Sequence, residues 1–296
     1  VSSAEAPPRS PRDLLARGRQ FLERNGCDEA RLDAELLVAH ALGLERLRLF
    51  LDLDRPIDEA ERVRARELLV RRAKGEPTAY VIGKRDFYTR TFVVDRRVLV
   101  PRPETELIVD RAREWARARL FPSGGPRVLD FGTGSGCLAV TLALEIEGSN
   151  VVAVDVSSDA LDVARENAAR LGADVGFVHG DGLEALRSVG GRPFDLVVAN
   201  PPYVDLAERE QLAREVRDHE PALALFAPPG APDHWVMTLA REAPAFMAPG
   251  GVLLVELGFD QWARVESELR AIAADVSVLR DFAGHSRVLE LPVPPA

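Results

Sequence analysis

Hydrophobic positions in the first quarter of the chain recur at helical spacing. Ser10 is a candidate N-cap with Pro11 at the first helical position. Leu14, Leu15, Phe21 and Leu22 follow on one face, and Gly26 closes the run. Leu32, Leu36, Leu37, His40 and Ala41 outline a second helix stopped near Gly43. Glu59 to Lys74 is a third, carrying Val63, Leu68, Leu69 and Val70 and stopped by Gly75. The pattern changes at Pro77. Tyr80-Val81-Ile82-Gly83 and Phe87-Tyr88 to Val94 are rich in β-branched and aromatic residues and predict a hairpin. Val98-Leu99-Val100 leads to Pro101-Arg102-Pro103-Glu104-Thr105-Glu106, which opens a helix running to about Leu120.

After Pro126 short apolar runs alternate with helical patterns. Strands are predicted over Arg127 to Phe131, Val151 to Val156, Val175 to His179, Phe194 to Ala199 and Val252 to Leu257. Helices are predicted over Cys137 to Glu147, Asp159 to Leu171, His234 to Met247 and Gln261 to Ala274. Val276 to Asp281 and Val288 to Leu291 have no helix between them, so they should pair antiparallel. The expected architecture is α/β, a mostly parallel sheet with helices on both faces. The expected organisation is a disordered arm over 1–10, a small helical bundle over 11–75, a β-hairpin linker over 76–100 and the α/β domain over 101–296. No internal repeat interrupts this layout.

Composition narrows the function. At 296 residues, 46% hydrophobic and 29% charged, the chain has a globular balance. No apolar stretch is long enough to span a bilayer, and Val1 to Arg12 lack the apolar core of a secretory signal. Cys27 and Cys137 sit in unrelated segments, so neither a disulfide nor a zinc site is expected. A reducing cytoplasm is the simplest address. The net charge of −9 argues against a sequence-independent nucleic-acid binder.

Two stretches carry candidate chemistry. Asp130-Phe131-Gly132-Thr133-Gly134-Ser135-Gly136 links a strand to a helix, and glycines there let the backbone turn tightly and approach a ligand, with helix N–H groups facing it. Asp155, ending the next strand beside Val156, can accept both ribose hydroxyls of a nucleoside. Asp181, beside Gly182 after the following strand, can bond an exocyclic adenine amine. A dinucleotide fold also places an acid after its second strand, but its fingerprint is G-x-G-x-x-G. Here the third glycine comes one place early and Cys137 takes the expected position, which favours a nucleoside without a pyrophosphate, such as S-adenosylmethionine. Asp155 as a plain solvated strand-end acid stays open. The second stretch is Asn200-Pro201-Pro202-Tyr203, directly after an apolar strand. It suits chemistry on a planar nitrogen, whose delocalised lone pair makes it a poor nucleophile. Asn200 offers an amide carbonyl to an N–H, Pro201 has no backbone N–H so the turn presents carbonyls, and Tyr203 supplies a flat stacking surface. The bland reading is a proline-rich turn ending a strand.

Together these residues resemble the class I methyltransferases that use S-adenosylmethionine, and more narrowly the glutamine N5-methyltransferases of peptide chain release factors, the PrmC/HemK family. The resemblance runs from about Pro11 to the end. It includes Pro77 to Gly83 with Phe87 and Phe92, Val100 to Glu106, the glycine turn and the Asn-Pro-Pro-Tyr motif. It continues through Glu215-Val216 with Glu220-Pro221-Ala222-Leu223, Val255-Glu256-Leu257-Gly258 with Gln261, and Asp281 to Gly284 with Arg287. The Pro-Glu-Thr-Glu stretch separates this branch from a sister family that methylates a ribosomal protein. Phe226 to Trp235 departs from the family's usual glycine pair and Asp-Gly-Leu, and Gly182 stands where some members carry a tryptophan.

The resemblance implies a Rossmann-like class I methyltransferase domain whose last strand is antiparallel. It implies direct methyl transfer from S-adenosylmethionine to a glutamine side-chain nitrogen in the Gly-Gly-Gln motif of class I release factors, leaving S-adenosylhomocysteine. No metal or nucleophilic residue is needed. Asn200 and the Pro201 carbonyl would each accept one substrate N–H, Pro202 and Tyr203 would complete the site, and Asn200 would also border the cofactor. The glycine turn would hold the methionine part, Asp155 the ribose and Asp181 the adenine. The helical domain would recognise the protein substrate, and the chain is expected to act as a monomer away from membranes, with no stable nucleic-acid binding. A ribosomal-protein glutamine methyltransferase, a nucleic-acid adenine N6-methyltransferase and a non-catalytic module are the rival readings. An adenine enzyme would need a basic region and a pocket for a flipped base. His219, His234 and His285 read as structural, as do Trp115, Trp235 and Trp262. Arg62, Arg64, Arg66, Arg71, Arg72 and Lys74 form a basic run that is either a solvated face, given Glu61 and Glu67, or a docking patch.

Overall fold

The computed structural model describes residues 7–121, 124–183, 185 and 191–295. The first six residues of the arm expected over 1–10 lie outside them. Contacts group the chain into two compact units, Val1–Lys84 with Ala213–His219, and Arg85–Leu212 with Glu220–Ala296.

The first unit is helical: α1 (Pro11–Arg24), α2 (Ala30–Ala41), α3 (Arg46–Leu51), α4 (Glu59–Ala73) and α5 (Thr78–Ile82). Ser10 Oγ accepts the Asp13 N–H at 3.3 Å and caps α1 as its sequence position predicts. Asp58 and Glu61 form a reciprocal capping box at the start of α4, satisfying two donors that the first turn leaves unpaired. Leu22, Leu37, Leu69 and Val81 close one apolar cluster, and Leu14, Val38, Leu49 and Ala65 another. The basic run on α4 is largely consumed locally. Arg62 pairs with Glu59, Arg71 with Glu76, and Arg64 donates to the Ala41 carbonyl. Buried Arg72 bridges Asp33, at 2.7 Å, and Glu215. This favours structural roles over a free docking patch.

The hairpin expected from Tyr80 to Val94 is shorter than its composition suggests. Thr78–Ile82 is a helix, because Pro77 starts it, Gly83 ends it at φ +74, and Ala79, Tyr80 and Val81 are buried. Only β1 (Lys84–Phe87) and β2 (Arg90–Val93) pair. Tyr88 and Thr89 turn between them with φ +47 and +65, the signs a two-residue hairpin turn requires. Val98-Leu99-Val100 pairs with no strand, the Val98 N–H closing a turn onto the Asp95 carbonyl at 3.1 Å, and α6 (Glu106–Arg117) starts after one 3-10 turn at Pro103–Thr105.

Then come β3 (Arg127–Phe131), α7 (Cys137–Glu145), β4 (Asn150–Asp155), α8 (Ser158–Leu171), β5 (Val175–His179) and β6 (Phe194–Ala199). Short helices α9 (Arg214–His219) and α10 (Ala222–Leu225) precede α11 (His234–Glu242), β7 (Met247–Glu256), α12 (Gln261–Ile272), β8 (Ser277–Arg280) and β9 (Ser286–Pro292). α11 stops short of the predicted Met247, because Pro244 lacks the N–H a continuing helix needs; a 3-10 turn follows and Met247 opens β7. Strands β3 to β9 form a seven-stranded sheet ordered β5-β4-β3-β6-β7-β9-β8. It is parallel through β7, while β9 runs antiparallel to both β7 and β8, as their direct connection predicts. Alternation splits the strands between two cores: Leu129, Val197 and Leu253 face Leu239 and Val265, whereas Val128, Leu196 and Leu254 face Ile108 and Leu142. No described helix is long and apolar enough to cross a membrane.

Candidate functional site

The chain leaves β3 toward β4 on one side and β6 lies on the other, so the loops at their carboxyl ends part and leave a crevice. A cavity of about 450 Å³ occupies it. Its walls include Asp130 to Ser135, Asp155, Val156, Asp181, Gly182 and Asn200 to Pro202, so most of the residues singled out in the sequence converge there. Two do not line it. Gly136 caps α7 at φ +79, and a Cβ there would lie 3.0 Å from the Ala164 Cβ, so its task is close packing of α7 on α8. Tyr203 lies against Gly258, where an added Cβ would come within 3.1 Å of its ring, and burial pushes its phenol up to about 12.

Within the glycine turn most backbone N–H groups are bound inside the protein. Gly132 and Thr133 both donate their N–H to the Val154 carbonyl, at 2.9 and 3.0 Å, and Gly136 donates to Thr133 at 2.9 Å. Gly134 donates to Asp155 Oδ2 at 2.8 Å. Four of the turn's N–H donors are thus satisfied within the protein, and Asp130 and Asp155 stand among the polar groups that line the cavity.

Asp130 is the clearest of these. Its Oδ2 accepts from Thr133 Oγ1 at 2.6 Å and from the Ala139 N–H at 3.0 Å, while its Oδ1 is buried with no partner among the described residues. Burial, aided by nearby Asp155, pushes the carboxyl up to about 7. Asp155 is fixed by the Gly134 and Ser157 N–H groups, one on each oxygen, and burial raises its pKa as well. Each of its oxygens keeps a lone pair for a further donor. Two carboxylates here disfavour a pyrophosphate and suit a ligand with an ammonium group and a diol. S-adenosylmethionine has both, so the residues present fit it.

At the far wall, Asn200 Nδ2 donates to Thr105 Oγ1 at 3.1 Å, and Thr105 Oγ1 donates to Glu256 Oε2 at 2.5 Å. With Glu256 ionised, the Thr105 proton is used on the carboxylate, so Thr105 can only accept from Asn200. That fixes the Asn200 amide with its NH₂ turned inward and leaves Oδ1 as an acceptor. Glu256 is 3% exposed, and burial pushes it up to about 7. Neither Thr105 nor Glu256 is among the site residues expected from sequence; the hint lies in their place in two stretches that carry the family resemblance, Val100 to Glu106 and Val255 to Gly258.

The loop after Tyr203 is held to the same wall. Val204 bridges Phe226 through the Val204 N–H to Leu225 carbonyl bond at 3.1 Å and the Ala227 N–H to Val204 carbonyl bond at 3.0 Å. Buried Glu220 accepts the Val100 N–H at 3.2 Å and pairs with Arg102 at 2.7 Å. The departing segment around Pro228 to Pro232 is also anchored: Gln261 Nε2 donates to the Pro232 carbonyl at 3.1 Å while its Oε1 accepts the Gly258 N–H at 3.0 Å. Trp235, read from sequence as structural, both packs on Phe131 at 5.7 Å and lines the cavity. His234 and His285 stack edge-on against Trp235 and Phe259.

Comparison with known proteins adds a separate line of evidence. Residues 13–83 match the family model described as PrmC N-terminal domain, and residues 110–221 match Methyltransferase small domain. A release factor glutamine methyltransferase of Chlorobaculum tepidum is 46% identical over 275 residues, covering 91% of this chain and 92% of the relative. One from Nitratidesulfovibrio vulgaris is 41% identical, covering 93% and 92%. Among solved structures, the hMettl16 catalytic domain aligns with a TM-score of 0.51 at 15% identity, covering 79% of this chain and 82% of that one, a likeness of fold.

Proposed function

The chain belongs to the release factor glutamine methyltransferase family, and from that premise we infer that it methylates the side-chain nitrogen (N5) of the glutamine in the Gly-Gly-Gln motif of class I release factors. S-adenosylmethionine, when bound, supplies an electrophilic methyl on a sulfonium. The observation that carries the reading is the polarity of Asn200. An amide whose NH₂ is tied to Thr105 turns its carbonyl to the substrate, which is what a primary amide donor needs.

The chain's own residues then have these tasks. Asp130 Oδ1 would take the cofactor's ammonium, and Asp155 the ribose hydroxyls. Asp181, with Val156 and Gly182, would meet the adenine, and Phe131 to Ser135 would border the methionine part. Asn200 Oδ1 and the Pro201 carbonyl would each accept one hydrogen of the glutamine NH₂. Holding both hydrogens aims the nitrogen and favours the positive charge that develops on it as the N–CH₃ bond forms and the S–CH₃ bond breaks, and one N–H proton then leaves to water. Pro202 and Tyr203 would shape the substrate side, with Tyr203 seated on Gly258. The helical unit would recognise the release factor.

The test is methyl transfer from labelled S-adenosylmethionine to a purified class I release factor, beside the same factor with its Gly-Gly-Gln glutamine changed to alanine. Label on the first and none on the second is the expected result. Equal label on both would remove the assignment of substrate position.

A further inference from the structure

We propose that Thr105 and Glu256 are positioning residues that decide which end of the Asn200 amide faces the substrate, and that this relay reverses when Glu256 takes up a proton. The proposal rests on the reading of Asn200 as acceptor for the substrate amide.

The geometry carries the argument. Asn200, Thr105 and Glu256 form a chain of two hydrogen bonds, 3.1 and 2.5 Å long, and Thr105 and Glu256 are 2% and 3% exposed. The Thr105–Glu256 link is therefore shielded from water, while Asn200 stands half-buried on the cavity wall. A hydroxyl has one proton. With Glu256 ionised, that proton goes to the carboxylate, and Asn200 must donate its N–H to Thr105. With Glu256 protonated, the acid can donate to Thr105. The hydroxyl proton is then free to turn toward Asn200, where it favours the flipped amide. A flipped Asn200 presents NH₂ to the substrate NH₂, two donors face to face, and the reacting nitrogen loses its anchor.

The groups around Glu256 allow the switch to fall near neutrality. Burial is the largest influence and favours the neutral acid; the Thr105 hydrogen bond comes next and favours the ionised form, Glu104 acts with burial, and Arg287 and Arg102 act against it. The Tyr203 phenol and the Cys137 thiol also feel its charge, and both are held neutral by burial, at about 12. The balance lies at about 7. Protonation is the inactivating direction, so turnover should fall as pH drops through this value.

The experiment is the pH dependence of kcat at saturating S-adenosylmethionine and release factor, for wild type, Thr105→Val, Thr105→Ser, Glu256→Gln and Asn200→Ala. Cofactor affinity by calorimetry and the melting midpoint are measured on each. Wild type should show an acid limb with an apparent pKa near 7. Thr105→Val should lower kcat by about tenfold or more through lost aim, lose that limb, and keep cofactor affinity. Thr105→Ser, which restores the hydroxyl, should restore both rate and limb. Glu256→Gln should lose the limb. Thr105→Val with wild-type kcat and limb would overturn the relay, as would an unchanged limb in Glu256→Gln. So would a Thr105→Val defect confined to stability and cofactor binding. Asn200→Ala separates the two levels. If it is inactive while Thr105→Val is normal, only the relay fails; if it stays active, the reading of Asn200 itself fails.

Discussion

Asp130 keeps one oxygen in a closed network with Thr133 and Ala139 and leaves the other buried without a partner. A buried carboxyl in that state holds its proton to about 7. An ammonium placed beside it favours the ionised form and pulls the pKa down. Binding of S-adenosylmethionine near pH 7 should therefore release protons, on the order of half a proton per site from this group. Calorimetry in buffers of different ionisation enthalpy reads this directly. Asp130→Asn should abolish the release, and proton uptake by wild type would contradict the assignment. Much of the site was legible at this scale because the glycine turn and Asn200 to Tyr203 are contiguous runs with backbone consequences of their own. Thr105 was not. It reaches Asn200 across 95 residues and Glu256 across 151, and no local pattern marks a hydroxyl that relays a hydrogen bond. Trp235 packs at the edge of the core as its helical position predicts, but that position does not reveal that its ring also lines the cavity.

Secondary elements were legible where burial and local preference agree. β3, β5 and β6 fall on their predicted residues, since each is a short apolar run bounded by turn residues. Where composition and context disagreed, context won. Tyr80 and Val81 favour strand by type, yet Pro77 and Gly83 frame a helix and the helical unit's core buries Val81. Two elements invite direct tests. Gly136→Ala adds a Cβ 3.0 Å from Ala164 at φ +79, combining left-handed backbone strain with overpacking. It should cost about 2–4 kcal/mol in urea unfolding. A change below 0.5 kcal/mol, on the order of an inert surface substitution, would mean α7 and α8 can part freely. Arg72 is 6% exposed between Asp33 and Glu215. Arg72→Ala leaves a buried acid unpaired and should cost roughly 3–5 kcal/mol by the same measurement. Near-neutral behaviour would show that water reaches the pair.

At the scale of the whole molecule, a net charge of −9 and a basic run in which Arg62, Arg71 and Arg72 are paired with acids weaken the attraction for a polyanion. Duplex DNA added in excess should leave methyl transfer to release factor unchanged at physiological salt, and strong inhibition would reopen the nucleic-acid reading. The fold class followed from the alternation of strands and helices, and the reversal of strand order about β3 explains why residues from separate stretches meet in one cavity. Family membership agrees with that geometry but does not by itself say which atom is methylated or which residue holds it. The most direct measurement is mass-spectrometric localisation of the methyl on a class I release factor treated with wild-type enzyme or with Asn200→Ala. The account predicts a single methyl on the side-chain nitrogen of the Gly-Gly-Gln glutamine, and its near-complete loss with the variant while cofactor binding persists. A methyl on another residue, or undiminished methylation by Asn200→Ala, would contradict it.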